Sequence, residues 1–393
     1  MFLPNDLSYI LTEFAEEREN YFNAVSPPIM QTSNFTFKKV DDMRTAFADE
    51  MAGYLYSRGL NPTVEILRKK LAALDGAEDC LVFNSGAAAI FAGVLANVKT
   101  GDHIISVRNP YTWAQRTFDV ILPRFGVTTT YIDGTEIKNF ETALRSNTTL
   151  IYLESPNSWD YALQDLKAVA DLARSRNIVT MIDNSYCTPM YQRPIHLGID
   201  LCMQTATKYI SGHSDTLGGV LSGSHQMMKK IFDSEYLNVG SGIQPFNAWL
   251  LIRGLRTLPA RFERIARSTI EVVNFLKQHD KVEKVIFPFD DGFPQYALAK
   301  KQMKGACGLI SFVVKSTNIE SIEKFCESFQ HILLGVSWGG HESLIVPWCS
   351  GIRPEEFDAS DEQHRMLRMY CGLEEADYLI ADIEQAFAAA YKK

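Results

Sequence analysis

A lysine set among hydroxyl and small side chains is the first residue of this sequence that could do covalent chemistry. Lys208 follows the apolar run 201–205 and lies in the stretch Thr-Ala-Thr-Lys-Tyr, where Thr205 and Thr207 supply hydroxyl groups. An amine held at the end of a strand, next to hydroxyls, suits the formation of an imine with the carbonyl of a phosphorylated cofactor. Because a single lysine is most often a solvated surface charge, this interpretation depends on the residues upstream.

A carboxylate and a turn of small residues stand upstream, each where a strand should end. Asp183 follows the apolar run 178–182, so its side chain should emerge at the carboxyl edge of a sheet, where open α/β sheets bind ligands. A carboxylate there can keep a pyridine nitrogen protonated, which makes the ring an electron sink. Ser85, Gly86 and Ala87 join a strand to a helix, and the amides of a helix N-terminus favour a phosphate. A capping aspartate and an ordinary glycine turn are the alternatives.

The elements that would position these residues follow from alternating apolar runs and helical patterns. Helical patterns cover 62–74, the stretch after Gly86, and 165–177. The runs that predict strands are 80–83, 103–107, 127–132, 150–153, 178–182 and 201–205. Strands alternating with helices indicate a parallel sheet with helices on both faces, and continuous apolar runs are typical of strands buried on both faces.

The pattern changes after about residue 225. A long arginine-studded helix is predicted over 246–279. It is followed by strands at 284–287 and 309–314 and by helices at 319–329 and 374–390. We therefore expect an irregular N-terminal segment over 1–60, a large domain over 61–250 and a smaller α+β domain over 251–393.

Composition limits the class of protein. The 393 residues are 46% hydrophobic and carry a net charge of −8, which disfavours a nucleic-acid surface. Seven scattered cysteines show no C-x-x-C spacing, which argues against a disulfide framework or a metal site and for a reducing compartment. No secretory signal is evident, and the longest apolar stretch, 87–98, is too short to span a bilayer. We expect a cytoplasmic protein.

Taken together, the motifs resemble the Cys/Met-metabolism family of pyridoxal-phosphate (PLP) enzymes, which includes cystathionine β- and γ-lyases, cystathionine γ-synthase, methionine γ-lyase and O-acylhomoserine sulfhydrylases. The resemblance covers the chain from about residue 25 to its end. The motifs that carry it are Tyr56-Ser57-Arg58, Asn61-Pro62-Thr63, Ser85-Gly86-Ala87-Ala88, Tyr111, Asp183-Asn184, Thr207-Lys208-Tyr209, Gly212-His213-Ser214-Asp215 and Ser337-Trp338-Gly339-Gly340.

The resemblance implies the aspartate-aminotransferase-like fold (fold type I), with a mostly parallel seven-stranded sheet in the large domain and a smaller C-terminal α+β domain. It implies that Lys208 binds PLP as a Schiff base and moves protons, and that Asp183 pairs with the pyridine nitrogen. Tyr111 would stack on the ring and serve as an acid or a base. The further cofactor contacts that it implies are Ser85, Gly86, Ala87, Thr205 and Thr207, with Tyr56 and Arg58 reaching the phosphate of a neighbouring subunit.

The resemblance also implies a small amino-acid substrate and an assembly of two active dimers into a homotetramer. Arg368 would bind the substrate carboxylate, assisted by Ser337 and next to Trp338. Trp338 is similar to the residue of cystathionine β-lyases at this position, and Val336 replaces a glutamate that cystathionine γ-enzymes often have. Ser158 stands where the family often has an asparagine near the cofactor.

These features favour a carbon–sulfur lyase that acts on cystathionine or related sulfur amino acids by elimination. The shared residues leave two other activities open: γ-replacement on an acylated homoserine, by a cystathionine γ-synthase or an O-acylhomoserine sulfhydrylase, and methionine γ-lyase activity. A PLP-binding regulator without activity is disfavoured, because Lys208, Asp183 and Arg368 are all present.

Overall fold

The computed structural model describes residues 6–391, and they form two compact units that are interleaved along the chain. The first unit comprises the described residues up to Asn157, with Ala162–Ser211 and Asp215–Arg256. The second comprises Ser158–Tyr161, Gly212–Ser214 and the described residues from Thr257 onward. The passage at residue 256 lies within helix α11, Pro245–Gln278. The expected division at residues 60 and 250 stays a prediction.

The first unit is built on a seven-stranded sheet with the order β1-β7-β6-β5-β4-β2-β3. Strand β7 is antiparallel to both of its neighbours, and the other pairings are parallel. The strands are β1 Asp79–Phe83, β2 His103–Val107, β3 Thr128–Ile132, β4 Thr148–Glu154, β5 Val179–Asp183, β6 Leu201–Thr205 and β7 Gly219–Gly223. The predicted mostly parallel sheet of seven strands is confirmed.

Both faces of this sheet are covered, as continuous apolar runs require. Strand β4 contributes Leu150 and Tyr152 to one core cluster and Ile151 and Leu153 to the other, so successive side chains point to opposite faces. All four side chains are fully buried. The strands are therefore held between two apolar layers, which fixes where their carboxyl ends lie.

The helices of the first unit follow local sequence signals. Asn61 accepts a hydrogen bond from the amide of Thr63 and begins α3 at Pro62, and Gly76 ends it with a φ of 69°. The N-terminal segment, expected to be irregular, contains two α-helices within its described residues, and the first is capped by Asp6. The helices are α1 Leu7–Thr12, α2 Val40–Ala48, α3 Pro62–Asp75, α4 Gly86–Leu95, α5 Thr112–Arg116, α6 Ile137–Ala143, α7 Leu166–Ser175, α8 Thr188–Tyr191, α9 His225–Ile231 and α10 Leu237–Val239.

The second unit has a five-stranded sheet with the order β10-β11-β12-β9-β8 and three further helices after α11. Its strands are β8 Val282–Ile286, β9 Leu309–Val314, β10 Leu333–Leu334, β11 Leu344–Pro347 and β12 Met366–Tyr370, and the helices are α12 Tyr296–Gln302, α13 Ile319–Glu327 and α14 Ala376–Ala390. The expected smaller α+β part is confirmed. Among residues 6–391, no helix is both long and apolar enough to cross a membrane.

Candidate active site

The sequence-predicted cofactor residues of the first unit lie where strands of its sheet end together. Gly219 of β7 is opposite Phe83, the last residue of β1, and also opposite Thr205, the last residue of β6. Asp183 ends β5 and is opposite Met203 of β6. Because β1, β5 and β6 run in the same direction, the segments that follow them leave the sheet at one edge. The edge is the one at which open α/β sheets bind ligands.

A helix N-terminus opens at this edge. Ser85 is the N-cap of α4, and its hydroxyl accepts a hydrogen bond from the amide of Ala88. The first amides of a helix have no partner within the helix, and the helix dipole makes this end favourable for an anion. Gly86 and Ala87 carry the first of these amides, as the sequence predicted for a phosphate site.

Two glycines allow this helix to approach β6 and β7. A Cβ on Gly219 would lie 2.1 Å from the backbone oxygen of Ser85, and one on Gly86 would lie 2.8 Å from the Cβ of Thr205. Neither distance is possible for real atoms, so both positions require glycine. The close packing places the helix N-terminus directly beside the end of the strand that leads to Lys208.

The segment that carries Lys208 is fixed by hydrogen bonds to Gly218. The hydroxyl of Thr207 accepts from the amide of Gly218 at 3.1 Å, and the hydroxyl of Thr205 donates to the oxygen of Gly218 at 3.3 Å. The amide of Thr205 donates to the hydroxyl of Ser185 at 2.7 Å, which ties β6 to the residues after Asp183. Lys208 itself is half-buried. The hydroxyls of Thr205 and Thr207 and the amine of Lys208 therefore belong to one short segment that is fixed by hydrogen bonds.

Asp183 is a buried carboxyl at the end of β5. Burial raises the pKa of Asp183 to about 6, against the opposing effects of hydrogen bonds from Ser185 and of the positive charge of Lys208. The amide of Ser185 donates to Oδ1 of Asp183 at 2.9 Å. A carboxylate that burial has destabilised gains most from a cationic neighbour, because their attraction is strong in a low dielectric.

Tyr111 lies at the start of α5 and is held by a second strand-end carboxylate. Its amide donates to Oε2 of Glu154 at 2.6 Å, and Glu154 is opposite Asp183 in the pairing of β4 with β5. Burial raises the pKa of the Tyr111 phenol, and the charges of Asp183 and Glu154 raise it further. The ring is 41% exposed, so it can contact a ligand, and the phenol keeps its proton at neutral pH.

Tyr56 and Arg58 lie on an exposed turn of the N-terminal segment. Tyr56 forms an isolated bridge with Asn34, its side chain is 48% exposed, and the guanidinium of Arg58 lies 6.0 Å from the centre of its ring. The family resemblance implies that they serve a neighbouring subunit. Their exposure on a single chain leaves them accessible for that contact.

The three predicted substrate residues belong to the second unit. Arg368 lies in the middle of β12 and is 9% exposed. Its Nη2 donates to the backbone oxygen of Val336 at 3.1 Å, so the arginine contacts the segment that continues into Ser337 and Trp338. Trp338 is buried, and Ser337 is half-buried. The second unit therefore places the segment that leads into Ser337 and Trp338 beside the guanidinium of Arg368.

The residues of the first unit fit PLP by their chemistry. A glycine-dependent helix N-terminus and the Thr207 hydroxyl suit its phosphate, the Lys208 amine suits its aldehyde, and the buried Asp183 carboxyl suits its pyridine nitrogen. An ordinary surface lysine or a capping aspartate would not require these groups to meet at one sheet edge. Fold and site together define a PLP-dependent enzyme of the aspartate-aminotransferase-like type.

Comparison with known proteins identifies the family. Residues 10–388 match the family described as Cys/Met metabolism PLP-dependent enzymes, and the chain belongs to it. It is 36% identical over 375 residues to an L-methionine gamma-lyase of Treponema denticola, covering 94% of this chain and 93% of that protein. It is 33% identical over 381 residues to a cystathionine gamma-lyase of Macaca fascicularis, covering 96% and 92%. The crystal structure of metB from Corynebacterium glutamicum superimposes with a TM-score of 0.90 at 30% identity, covering 99% of this chain and all of that one.

These matches confirm the predicted family, fold type and cofactor, and the prediction of a PLP-dependent enzyme of the carbon–sulfur lyase class. They do not separate cystathionine from methionine as the substrate. The roles of the individual residues stay predictions.

Sequence reasoning missed two residues that hold the site. Glu154 ends β4 as Asp183 ends β5, so the rule that found Asp183 could also have found Glu154. Trp159 had no sequence signal, because its position depends on contacts within the second unit. Its indole lies against the guanidinium of Arg368, 4.8 Å from the ring centre.

Proposed function

We propose that this protein cleaves the carbon–sulfur bond of cystathionine or a related sulfur amino acid by elimination. The observation that carries the proposal is the meeting of the Lys208 amine and the buried Asp183 carboxyl beside the N-terminus of α4. When bound there, PLP supplies an electron sink for the electrons released at the substrate α-carbon.

Lys208 and Asp183 have complementary roles in the proposed reaction. The Lys208 amine first holds the cofactor and then, as a free base, removes the α-proton of the substrate. The Asp183 carboxylate keeps the pyridine nitrogen protonated. Its environment supports this role, since burial makes the isolated carboxylate unfavourable and a pyridinium would relieve that cost.

Tyr111 is proposed to act as the acid that protonates the leaving sulfur. The family resemblance alone allowed either an acid or a base. A raised pKa favours the acid, because the phenol is protonated when the bond to sulfur breaks. Glu154 positions Tyr111 by accepting a hydrogen bond from its backbone amide.

Arg368 is proposed to bind the α-carboxylate of the substrate, with Ser337 and Trp338 beside it. A planar guanidinium can hold a carboxylate with two parallel hydrogen bonds. Val336, which contacts Arg368 through its backbone oxygen, has an uncharged side chain that is 80% exposed. It offers no carboxylate to a distal ammonium group, which favours a β-lyase, or a lyase of small sulfur amino acids, over the cystathionine γ-enzymes that often have a glutamate at this position.

The active unit is proposed to be a dimer, two of which form a tetramer, with Tyr56 and Arg58 of one chain contacting the phosphate bound by the other. The exposed position of both side chains supports this arrangement. A cytoplasmic location is proposed from the scattered cysteines, which suit a reducing compartment.

Product analysis tests the proposed reaction. The purified holoenzyme would be given L-cystathionine, L-methionine, or O-acetylhomoserine together with cysteine. Pyruvate, ammonia and homocysteine from cystathionine indicate β-elimination, whereas 2-oxobutyrate from either sulfur amino acid indicates γ-elimination. Formation of cystathionine from O-acetylhomoserine, without cleavage of either sulfur amino acid, would assign γ-replacement instead. Exchange of the α-proton without release of a keto acid would overturn the lyase proposal.

A further inference from the structure

The short segment Ser158–Tyr161 interrupts the first unit and belongs by its contacts to the second. It brings Trp159 against Arg368, with the guanidinium carbon 4.8 Å from the centre of the indole ring. A cation over the face of an indole is attracted by the ring quadrupole, and tryptophan is the strongest partner for this contact. The contact therefore restrains the movement of the Arg368 guanidinium relative to the indole ring.

The backbone of Trp159 is fixed by the strand next to Arg368. Ser311 of β9 donates its hydroxyl to the backbone oxygen of Trp159 at 2.8 Å, and the hydroxyl of Tyr161 lies 3.1 Å from the same Ser311 oxygen. Ser311 is the direct cross-strand neighbour of Arg368 in the pairing of β9 with β12. One strand pair thus supplies both the arginine and the anchor of the indole that packs on it.

Two backbone oxygens hold the edge of the same guanidinium. Nη1 of Arg368 donates to the oxygen of Ser158 at 3.3 Å, and Nη2 donates to the oxygen of Val336 at 3.1 Å. Together with the indole, these contacts fix both the plane of the guanidinium and its rotation within that plane. Two-point binding of a carboxylate depends on this orientation, because its two parallel hydrogen bonds share the plane.

We infer that Trp159, anchored by Ser311, is a positioning residue that holds the Arg368 guanidinium in the plane required to bind the substrate carboxylate. This inference rests on the proposed role of Arg368. Trp159 acts through the arginine and touches no reacting atom, so its removal should weaken recognition of the carboxylate more than the chemical step.

Ligand binding to the holoenzyme tests the inference without depending on turnover. The dissociation constants of L-alanine and of ethylamine, which lacks the carboxylate, would be measured from the change in visible absorbance of the bound cofactor. In Trp159→Leu, the constant for L-alanine should rise roughly 3- to 30-fold, the range of a desolvated cation–π contact. The constant for ethylamine should stay within twofold, and KM for the best amino-acid substrate should rise more than kcat falls.

Two further variants separate positioning from general damage. Trp159→Phe keeps an aromatic face and should show a smaller loss than Trp159→Leu, and it decides the question if the leucine variant does not fold. Trp348→Leu removes another stacked tryptophan of the second unit, whose partner is His364, and should leave both binding constants unchanged.

A double-mutant cycle completes the test. If Trp159 acts through the arginine, Trp159→Leu should add little further loss in an Arg368→Lys background. Equal losses for L-alanine and ethylamine, or a native preference for L-alanine that survives Trp159→Leu, would overturn the inference alone. A native enzyme that does not prefer L-alanine to ethylamine would overturn the proposed role of Arg368, and the inference with it.

Discussion

At the scale of single residues, the proposed chemistry depends on a carboxyl group that the fold places in an unfavourable environment. Burial raises the pKa of Asp183 to about 6, while Ser185 and Lys208 partly compensate. A pyridinium nitrogen would supply the missing positive charge. The cost of burying Asp183 in the protein therefore becomes a preference for the protonated cofactor ring.

We predict that the Asp183→Asn variant still binds PLP but has a kcat that is lower by about 10- to 100-fold or more. The reason is that a charge-assisted hydrogen bond of about 1.5–3 kcal/mol is lost at the cofactor ring, which must accept the electrons. Steady-state kinetics at saturating PLP would measure the loss. Asp200→Asn is the matched control: Asp200 directly precedes β6, accepts hydrogen bonds from the amide and hydroxyl of Thr180 in β5, and should be dispensable for turnover. Equal turnover in native protein and Asp183→Asn would contradict the role of Asp183.

At the scale of elements, the proposed phosphate site depends on how closely α4 approaches the sheet. Ser85, the N-cap of α4, packs against Gly219 of β7, and Gly86 packs against Thr205 at the end of β6. A larger residue at position 219 must displace the backbone, because its Cβ would strike the backbone oxygen of Ser85.

We predict that Gly219→Ala displaces the N-terminus of α4 and weakens PLP binding, because overpacking of this kind costs about 1–3 kcal/mol. Equilibrium dialysis of PLP against the apoprotein would measure the change. Gly351→Ala is the control, since a Cβ there meets no atom within 4 Å. PLP affinity that is the same in native protein and Gly219→Ala would show that the close packing does not shape the phosphate site.

A second buried carboxyl joins elements of the first unit. Asp75, the last residue of α3, accepts hydrogen bonds from Gln204 of β6 at 2.7 Å and from Ser222 of β7 at 2.6 Å. Burial raises the pKa of Asp75 to about 7, against those hydrogen bonds and the charge of Arg193. Because the folded pKa lies above the unfolded value, the contribution of Asp75 to stability is complete below about pH 4 and is lost as the pH rises through 7.

We therefore predict that Asp75→Asn, which can keep hydrogen bonds without ionising, becomes more stable relative to native protein as the pH rises from 5 to 8. The relative gain should be on the order of 2–3 kcal/mol, since about two pH units separate pH 5 from the folded pKa and each is worth about 1.4 kcal/mol. Thermal or urea unfolding at pH 5, 6, 7 and 8 would measure it. A difference between the two proteins that does not change with pH would contradict the assigned ionisation.

The sequence predicted elements best where the signal is local. Strands β2, β6 and β9 match their apolar runs residue for residue, and α3 begins at Pro62 as its pattern indicated. Strand β7 is short, has a glycine at each end and was missed, as was β12, whose alternation includes the buried Arg368. Both depend on cross-strand partners that are far away in sequence.

The same distinction applies to the site. Lys208, Asp183 and the turn at Gly86 follow strand ends, so local patterns place them at one sheet edge. Trp159 lies next to Arg368 only because Ser311, 152 residues away, anchors it. The local sequence gives no signal for a contact of this kind, which is visible only in the folded structure.

At the scale of the whole molecule, one chain exposes apolar side chains around its N-terminal segment. The exposed large side chains of this region include Phe22, Val25, Val40, Phe47 and Tyr54. Apolar surface of this kind is typical of protein–protein contacts. It adjoins in sequence the two residues, Tyr56 and Arg58, that are proposed to complete the site of another copy.

A subunit-mixing experiment tests this assembly, because it predicts activity from two inactive proteins. Arg58→Ala and Lys208→Ala should each be nearly inactive. After subunit exchange, about one quarter of native activity should return, since random pairing makes half of the dimers mixed and each mixed dimer has one intact site. Lys208→Ala mixed with Asp183→Asn is the control: both lesions affect groups that one chain supplies to its own site, so no intact site forms and activity should not rise above the residual activity of Asp183→Asn. If exchange is proven by labelled subunits and the first mixture stays inactive, or if a verified monomer is fully active, the two chains do not share their sites.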